Sequence, residues 1–192
     1  MKLKRTAWGT TLTLVVATMA GCGGKNESGG GGGSAQAPPP TKPPAVNVLS
    51  SKLPSGLKPG LKLVTFPNNK FSTPGETTSV APKIGFSCEE NPYKDKEVSL
   101  RYDGWLQIDK DGVYVFQVLS DDQSTLKLNN ALVLDHQEST RTKEGWANLK
   151  AGGYPITFEY QNNVGPACLV VKWSSDNGVT FTDIPPELLQ HE

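Results

Sequence analysis

Apolar and polar residues alternate along the central part of the chain, and this alternation predicts β-strands. From Val98 to Ile108 the apolar residues share one face and the polar residues share the other. A period of two residues is typical of a strand with one buried face. Short runs rich in apolar residues predict further strands at residues 61–66, 84–88, 113–122, 125–128, 131–134, 149–160 and 168–173.

Turn residues separate these strands, and no segment shows the sustained period of a helix. Asn129-Asn130 can supply the positive φ angles that a two-residue hairpin turn requires. We predict loops at residues 67–82 and 135–146, which are rich in polar residues, and one short helical turn at 185–189. Short strands at regular spacing predict an all-β domain.

Five short pieces of sequence, in a fixed order and spacing, resemble a PA14 domain. The pieces are Tyr102–Leu106, Asp111–Phe116, Ser120–Leu126, Leu149–Gly152 and Leu169–Trp173. The resemblance implies a single domain with a β-sandwich or barrel-like fold at residues 46–192, with its core at about 98–174. The family occurs in bacterial toxins, glycosidases and yeast adhesins, and several members bind carbohydrate.

Two adjacent carboxylates, Asp121 and Asp122, end the most apolar of the predicted strands. Such carboxylates repel each other unless a cation or hydrogen-bond donors neutralise them, and calcium prefers several oxygen ligands. Resemblance to the adhesin branch of the PA14 family implies that the two aspartates sit across a cis peptide and hold calcium, which helps to bind a sugar. That branch adds an asparagine from a late loop, which Asn162 or Asn163 would supply. The alternative is that Asp121 caps backbone N–H groups and that Asp122 is solvated.

A second candidate site lies in the predicted polar loop at residues 135–146. Asp135 and His136 open this loop, and Trp146 closes it. An aromatic ring suits the apolar face of a sugar, so Trp146 or Trp105 is a candidate stacking platform. The alternatives are that each tryptophan packs in the core and that His136 is an ordinary loop histidine.

The first 21 residues resemble a lipoprotein signal peptide. Three positive charges precede an apolar run that is too short to span a bilayer, and Met19-Ala20-Gly21-Cys22 resembles a lipobox. The resemblance implies acylation of Cys22 and attachment to a lipid bilayer, with Gly23 implying the outer membrane in a Gram-negative source. The alternative is an ordinary signal peptide with an incidental cysteine. Residues 22–45 are rich in Gly and Pro, which predicts a disordered linker.

The two remaining cysteines, Cys88 and Cys168, are predicted to form a disulfide. Acylation takes Cys22, and export places the chain in a compartment that oxidises thiols. The alternative is two buried free thiols.

Charge and missing motifs argue against several classes of function. Without the three basic residues of the signal, 16 basic and 19 acidic residues remain, so no nucleic-acid partner is expected. The sequence has no Gly-x-Ser-x-Gly, no His-Glu-x-x-His and no Gly-rich phosphate loop, so we predict no enzyme. We predict a non-catalytic carbohydrate-recognition module of the adhesion type on a membrane-anchored lipoprotein. The alternative is a structural or protein-interaction module of the cell envelope that binds no sugar.

Overall fold

Thirteen β-strands and one short 3-10 helix form the regular structure of residues 42–89, 91–139 and 141–192, which the computed structural model describes. The strands are β1 (Val46–Asn47), β2 (Lys58–Pro59), β3 (Leu61–Phe66), β4 (Thr77–Ala81), β5 (Gly85–Phe86), β6 (Val98–Ile108), β7 (Gly112–Asp121), β8 (Gln123–Leu128), β9 (Ala131–His136), β10 (Arg141–Leu149), β11 (Gly152–Asn162), β12 (Cys168–Ser174) and β13 (Leu189–His191). The 3-10 helix spans Pro186–Leu188. The predicted signal peptide, Cys22 and the linker as far as residue 41 lie outside the described residues.

The strands form two sheets. The first sheet has the order β1-β10-β7-β12-β5, and the second has the order β2-β13-β6-β11-β8-β9, with β3 joining β4 to β6. Neighbouring strands are antiparallel except for β1 and β10. Strands β7 and β8 are consecutive along the chain but belong to different sheets. The chain therefore crosses between the sheets at Asp121–Asp122.

The core lies between the facing surfaces of the two sheets. Successive side chains of a strand point to opposite faces, so alternate residues face the core. On β6 the inward residues are at most 3% exposed, and they are Val98, Leu100, Tyr102, Leu106 and Ile108. Tyr102 meets Phe158 of β11 edge to face, with ring centroids 6.3 Å apart. Full burial of a large apolar side chain contributes about 1.5–3 kcal/mol to the free energy of unfolding.

Most of the predicted elements, and with them the all-β fold class, are confirmed. Strands β3 and β6 begin and end at the predicted residues. Asn129 and Asn130 form the predicted turn, with φ angles of 45° and 63°. The 3-10 helix lies within the predicted helical turn. The described residues contain no helix that is long and apolar enough to cross a membrane.

Two predicted loops were wrong, because both contain strands. The loop predicted at residues 67–82 holds β4, whose residues are mostly exposed because, among the described strands, it pairs with β3 alone. In the loop predicted at 135–146, His136 ends β9 and Arg141 already begins β10. The first four residues of β10 are all exposed and show no alternation, but the strand pairs with β7 over its full length.

Candidate functional site

The two aspartates of the predicted calcium site lie where the chain crosses from one sheet to the other. Asp121 is the last residue of β7, and Gln123 is the first residue of β8. The peptide bond between Asp121 and Asp122 is cis, as the family resemblance implies. Two buried hydroxyl groups support the crossing: Ser120 Oγ donates to the Asp122 carbonyl oxygen at 2.9 Å and lies 3.0 Å from Ser124 Oγ.

Asp121 is held by hydrogen bonds to its side chain and to its backbone. Only 7% of the residue is exposed. Ser139 Oγ donates to Asp121 Oδ1, and the Tyr160 hydroxyl donates to the Asp121 carbonyl oxygen. Burial raises the pKa of Tyr160, and the charges of Asp121 and Asp122 raise it further. The phenol therefore stays protonated at neutral pH and remains a hydrogen-bond donor.

Asn163 connects the late loop to Asp122. Its backbone N–H and its side-chain Nδ2 both donate to Asp122 Oδ2, at 2.8 and 2.7 Å. Its Oδ1 accepts a hydrogen bond from Asn69 Nδ2 at 2.6 Å. The structure thus brings Asp121, Asp122 and Asn163 together, and we call these three residues the acidic corner.

Asn162, the other asparagine of the predicted ligand set, faces the protein interior. It is completely buried. Its Nδ2 donates to the Lys96 carbonyl oxygen at 2.9 Å, and its Oδ1 accepts from the Tyr160 hydroxyl at 3.3 Å. Asn162 is buried away from the surface, whereas Asn163 is exposed and bonds to Asp122 directly, so Asn163 is the better candidate for the asparagine that the resemblance implies.

The chemistry of the acidic corner fits calcium. Among the described residues, no donor reaches Asp121 Oδ2 or Asp122 Oδ1, and no Lys or Arg forms an ion pair with either aspartate. Adjacent carboxylates repel each other unless a cation or hydrogen-bond donors neutralise them, and here the described residues supply donors to only one oxygen of each carboxylate. Calcium binds carboxylate, amide and backbone oxygens. No three His, Cys, Asp or Glu side chains of the described ranges are grouped to hold a metal, so further ligands would be amide or backbone oxygens.

The second predicted site does not form an exposed rim. His136 is fully buried. Its Nε2 lies 2.5 Å from the Arg141 carbonyl oxygen, and its Nδ1 accepts from the Glu138 backbone N–H at 3.3 Å. His136 therefore holds the short connection between β9 and β10, and the structure does not offer it to a ligand. Asp135 is exposed and accepts a hydrogen bond from Gln137.

Trp146 does not present its ring to a ligand, contrary to the prediction. It is 7% exposed and lies beneath the turn at Asn177–Gly178, where a Cβ atom added to Gly178 would come within 3.0 Å of the ring. Lys42 Nζ lies 4.9 Å from the ring centroid and donates to the Asn177 carbonyl oxygen at 3.3 Å. Trp146 therefore packs within the protein, which was the alternative to stacking on a sugar. Trp105 is half-buried and lies on β6.

The predicted disulfide between Cys88 and Cys168 is present, with the two Cα atoms 4.4 Å apart. Cys168 is the first residue of β12 and lies opposite Asp121 in the register of β12 with β7. The disulfide therefore fixes the segment that follows β5 close to the acidic corner.

That segment also holds the loop that carries Asn163. Asn91 donates from its side chain to the Ala167 carbonyl oxygen. The backbone N–H of Asp95 donates to the Gly165 carbonyl oxygen at 2.7 Å. Together with the disulfide, these bonds position the loop before any ligand arrives, which lowers the entropic cost of binding.

Three residues that hold the acidic corner were not found by sequence reasoning: Asn69, Ser139 and Tyr160. They lie 94, 18 and 39 positions from the residues they bind. Tyr160 ends the predicted strand at 149–160, two residues before Asn162, and only the observed extension of β11 to Asn162 places the two on one face.

A cavity of about 370 Å³ beside β5 and β12 is not part of the acidic corner. Its lining includes Lys83, Lys172 and Asp183 but none of the corner residues. Lys172 Nζ lies 2.5 Å from Asp183 Oδ1, and Lys172 chiefly, with Lys83, lowers the pKa of Asp183. These charges already compensate one another, so we do not assign the cavity to the candidate site.

The PA14 domain family model matches residues 57–185. The chain belongs to the PA14 family. The acidic corner and the disulfide both lie within this PA14 span. A comparison with curated protein sequences finds no match.

Solved structures share the PA14 fold of this chain at low sequence identity. An anti-sigma factor domain-containing protein from Clostridium clariflavum is 23% identical, with a TM-score of 0.60 over 80% of this chain and 53% of that one. The A domain of epithelial adhesin 9 from Candida glabrata, solved in complex with Galβ1-3GlcNAc, is 13% identical, with a TM-score of 0.63 over 77% and 96%. The PA14 sugar-binding domain of an RTX adhesin is 16% identical, with a TM-score of 0.54 over 70% and 99%. The chain spans about half the length of the anti-sigma factor domain-containing proteins it matches.

Proposed function

We propose that this PA14 domain binds a carbohydrate at the acidic corner and catalyses no reaction. The observation that carries the proposal is the pair of hydrogen bonds from Asn163 to Asp122 Oδ2. They join an asparagine of the late loop to two adjacent aspartates, which is the arrangement that the adhesin resemblance implies. Two structural neighbours support the proposal: the epithelial adhesin domain was solved with a bound glycan, Galβ1-3GlcNAc, and the RTX adhesin domain is a sugar-binding domain.

Calcium is the proposed cofactor, and when bound it would coordinate hydroxyl oxygens of the sugar directly. Ser139 donates a hydrogen bond to Oδ1 of Asp121, and Asn163 donates hydrogen bonds to Oδ2 of Asp122. One oxygen of each carboxylate therefore remains open, while the other orients the group. Side chains that are already oriented lose little conformational entropy on binding.

The absence of catalysis follows from the proposed role of the two aspartates. Glycosidases use two carboxyl groups that flank the scissile bond and lie about 5–10 Å apart. Asp121 and Asp122 are adjacent in sequence and belong to one corner, so they are arranged to share a ligand rather than to flank a bond. We propose that binding, and in particular adhesion, is the purpose of the domain.

We also propose that the domain is presented from the cell envelope by acylated Cys22, in the outer membrane if the source is Gram-negative. The support is the lipobox-like sequence and the Gly- and Pro-rich linker that follows it. Radioactive palmitate fed to bacteria that express the full chain should label the protein, and a Cys22→Ser variant should carry no label. Equal labelling of both proteins would contradict this anchor.

A glycan array tests the proposed function when the purified full chain is applied once with calcium and once with a chelator. We expect binding that requires calcium. An Asp122→Asn variant should lose it, because the open carboxylate oxygen becomes part of a neutral amide. An Asp109→Asn variant should bind normally, since Asp109 lies before the other end of β7 and accepts only from Gln107 among the described residues, at 2.8 Å.

The other outcomes of the array are equally informative. Binding that survives the chelator would retain carbohydrate recognition and contradict the role of calcium. An absence of binding under both conditions would contradict the proposal. It would favour the alternative, a structural or protein-interaction module of the cell envelope, and a stable protein partner would then be sought by pull-down.

A further inference from the structure

A shallow polar groove adjoins the acidic corner on the outer face of the second sheet. We call it the amide groove, and its side chains include Phe71, Gln123, Thr125, Gln137, Glu159 and Gln161. The groove encloses about 40 Å³, which is little more than the volume of one water molecule. It has room for single hydroxyl or hydroxymethyl groups, so a sugar ring would lie across it and would not be enclosed.

The floor of the amide groove consists of facing residues on β8 and β11. Gln161 lies opposite Gln123, and Glu159 lies opposite Thr125. The residues between them on each strand are buried, so these four side chains share the outer face of the sheet. Four polar side chains thus form one continuous patch.

Phe71 forms a wall of the groove on a loop that hydrogen bonds hold in place. Asn68 Oδ1 accepts from the Ser72 backbone N–H at 3.2 Å. Buried Ser99 accepts from the Phe71 N–H at 3.2 Å and donates to the Asn68 carbonyl oxygen at 2.7 Å. The Phe71 ring meets the Phe66 ring edge to face at 5.8 Å. The aromatic wall is therefore positioned before a ligand arrives.

The amide side chains of the groove keep free capacity for hydrogen bonds. Gln123 forms no hydrogen bond through its side chain with the residues that the structure describes. Gln161 uses Nε2 to bind the Asn69 carbonyl oxygen at 2.6 Å, and Gln137 uses Nε2 to bind Asp135. The Oε1 atoms of both remain available among the described residues. Because an amide both donates and accepts, such groups suit hydroxyl groups, which also do both.

The charge of the groove favours an uncharged ligand. Glu159 is the only carboxylate among the six groove side chains, and Lys127 Nζ lies 3.8 Å from its Oε2. The pair carries no net charge, and the exposed carboxylate of Asp135, which pairs with Thr125 and accepts from Gln137, adds a negative charge beside the groove. A negatively charged ligand is therefore disfavoured. A ligand with hydroxyl groups and an apolar face would match the amides and the ring of Phe71.

The groove and the acidic corner are physically continuous. The Asp122 backbone N–H donates to the Gln161 carbonyl oxygen at 3.3 Å. Asn69 touches both sites, because its Nδ2 donates to Asn163 and its carbonyl oxygen accepts from Gln161. A molecule that extends from the corner across the outer face of the sheet would therefore meet the groove next.

We infer that the amide groove binds the second sugar residue of an uncharged oligosaccharide whose first residue lies at the acidic corner. The inference rests on the proposed function and deepens it. It specifies a neutral glycan of at least two residues as the ligand, and it names Gln123 and Phe71 as residues that set the preference for chain length.

Calorimetric titration of the full chain in calcium tests the inference. The probes are galactose, lactose and lacto-N-tetraose, and in parallel glucose, cellobiose and cellotetraose. The wild-type protein should prefer one of these two series. Within that series it should bind the longer glycans about fivefold more tightly than the monosaccharide, because roughly one hydrogen bond is gained. Gln123→Ala should lose this gain and keep the monosaccharide affinity. Gln117→Ala is the matched control, because Gln117 is on the first sheet and bonds to Glu144 at 3.2 Å.

A second variant, Phe71→Leu, keeps an apolar side chain against Phe66 but removes the aromatic face. This variant should also reduce the preference for longer glycans.

Equal wild-type affinity for monosaccharides and longer glycans would overturn the inference and leave the proposed function standing. A loss of monosaccharide affinity in Gln123→Ala as large as the loss for longer glycans would overturn it as well. If the wild-type chain binds none of the six probes, and no glycan on the array, the inference falls together with the proposed function.

Discussion

Asn163 donates two hydrogen bonds to a single oxygen of Asp122, one from its backbone and one from its side chain, at 2.8 and 2.7 Å. Asp122 lies at the crossing between the two sheets, whereas Asn163 lies in the loop between β11 and β12. If the loop moved away from the crossing, Asp122 Oδ2 would lose both of these donors. Any ligand held at the acidic corner would therefore lie against both the crossing and the loop between β11 and β12.

Replacement of Asn163 should weaken the proposed calcium binding. Asn163→Ala removes one of the two donors to Asp122 Oδ2 and leaves the aspartate less well oriented. We expect about tenfold weaker calcium affinity, equivalent to about 1.4 kcal/mol, measured by calorimetric titration of the metal-free full chain with calcium.

Asn148→Ala is the control for this change. Asn148 is also an exposed asparagine whose Nδ2 donates to another asparagine, Asn47, at 2.8 Å. It pairs with Val113, at the end of β7 opposite Asp121. The control should bind calcium like the wild type, and an unchanged affinity in Asn163→Ala would contradict the role assigned to Asn163.

Loss of the disulfide should destabilise the domain. Cys88 and Cys168 are 80 residues apart in sequence, and closing a loop of this length removes entropy from the unfolded chain worth about 4 kcal/mol. We expect the double variant Cys88→Ala/Cys168→Ala to lose about that much free energy of unfolding in a urea titration, compared with the oxidised wild type.

The same titration in a reductant provides the check. Reductant should lower the stability of the wild type towards that of the double variant and should not change the double variant. Wild-type stability that is the same with and without the disulfide would contradict the prediction.

The strands that face the core could be predicted from sequence, because the evidence for them is local. In β6 every inward position is apolar except Gly104, so the alternation alone marks the strand. The strands β4 and the first half of β10 could not be predicted in this way. Their exposed residues carry no pattern, and it is pairing with β3 and with β7, respectively, that makes them strands.

The acidic corner was predictable for the same reason, because Asp121 and Asp122 are adjacent and the family resemblance covers them. Its supports were not predictable, since Asn69 and Ser139 come from segments that the sequence marks only as polar. The predicted role of Trp146 failed because exposure is decided by the Asn177–Gly178 turn, which covers the ring from a distant part of the chain. The sequence therefore identifies side chains that could bind a ligand, but it does not show whether a distant part of the chain buries them.

A methyl group at Gly145 should destabilise the fold. An added Cβ atom would lie 2.4 Å from the Val133 carbonyl oxygen and 2.8 Å from Leu134 Cβ, so β9 and β10 would have to move apart. Overpacking of this kind costs about 1–3 kcal/mol, and we expect Gly145→Ala to fall in that range by urea denaturation.

Gly112→Ala is the matched control for Gly145→Ala. The nearest atom to an added Cβ atom there is Tyr114 Cε2 at 3.7 Å, an ordinary contact. Because alanine restricts the unfolded chain more than glycine does, this change should be neutral or should stabilise the protein by about 0.5 kcal/mol. Equal destabilisation by the two variants would show that the close approach to β9 is not the cause.

The carboxyl group of Asp176, in the turn that covers Trp146, should titrate at unusually low pH. The Ser174 hydroxyl chiefly, with the Thr180 backbone N–H, lowers the pKa of Asp176 to about 2 from an ordinary value of 3.8. A carboxyl whose pKa is lower in the folded state stabilises the fold above its unfolded pKa. That contribution is lost as the pH falls through the folded pKa, so Asp176 should hold the turn at neutral pH and release it between about pH 4 and pH 2.

Carbon-13 NMR of the Asp176 carboxyl measures this pKa directly, and the amide signals of Gly178 and Trp146 report the turn. The expected result is a carboxyl midpoint near pH 2, with the two amide signals changing in the same range. A Ser174→Ala variant removes the main donor to Asp176 Oδ1, so its midpoint should rise towards 3.8. A wild-type midpoint already near 3.8 would mean that these hydrogen bonds do not persist in solution. The cover over Trp146 would then be looser than the contacts of Gly178 and Lys42 indicate.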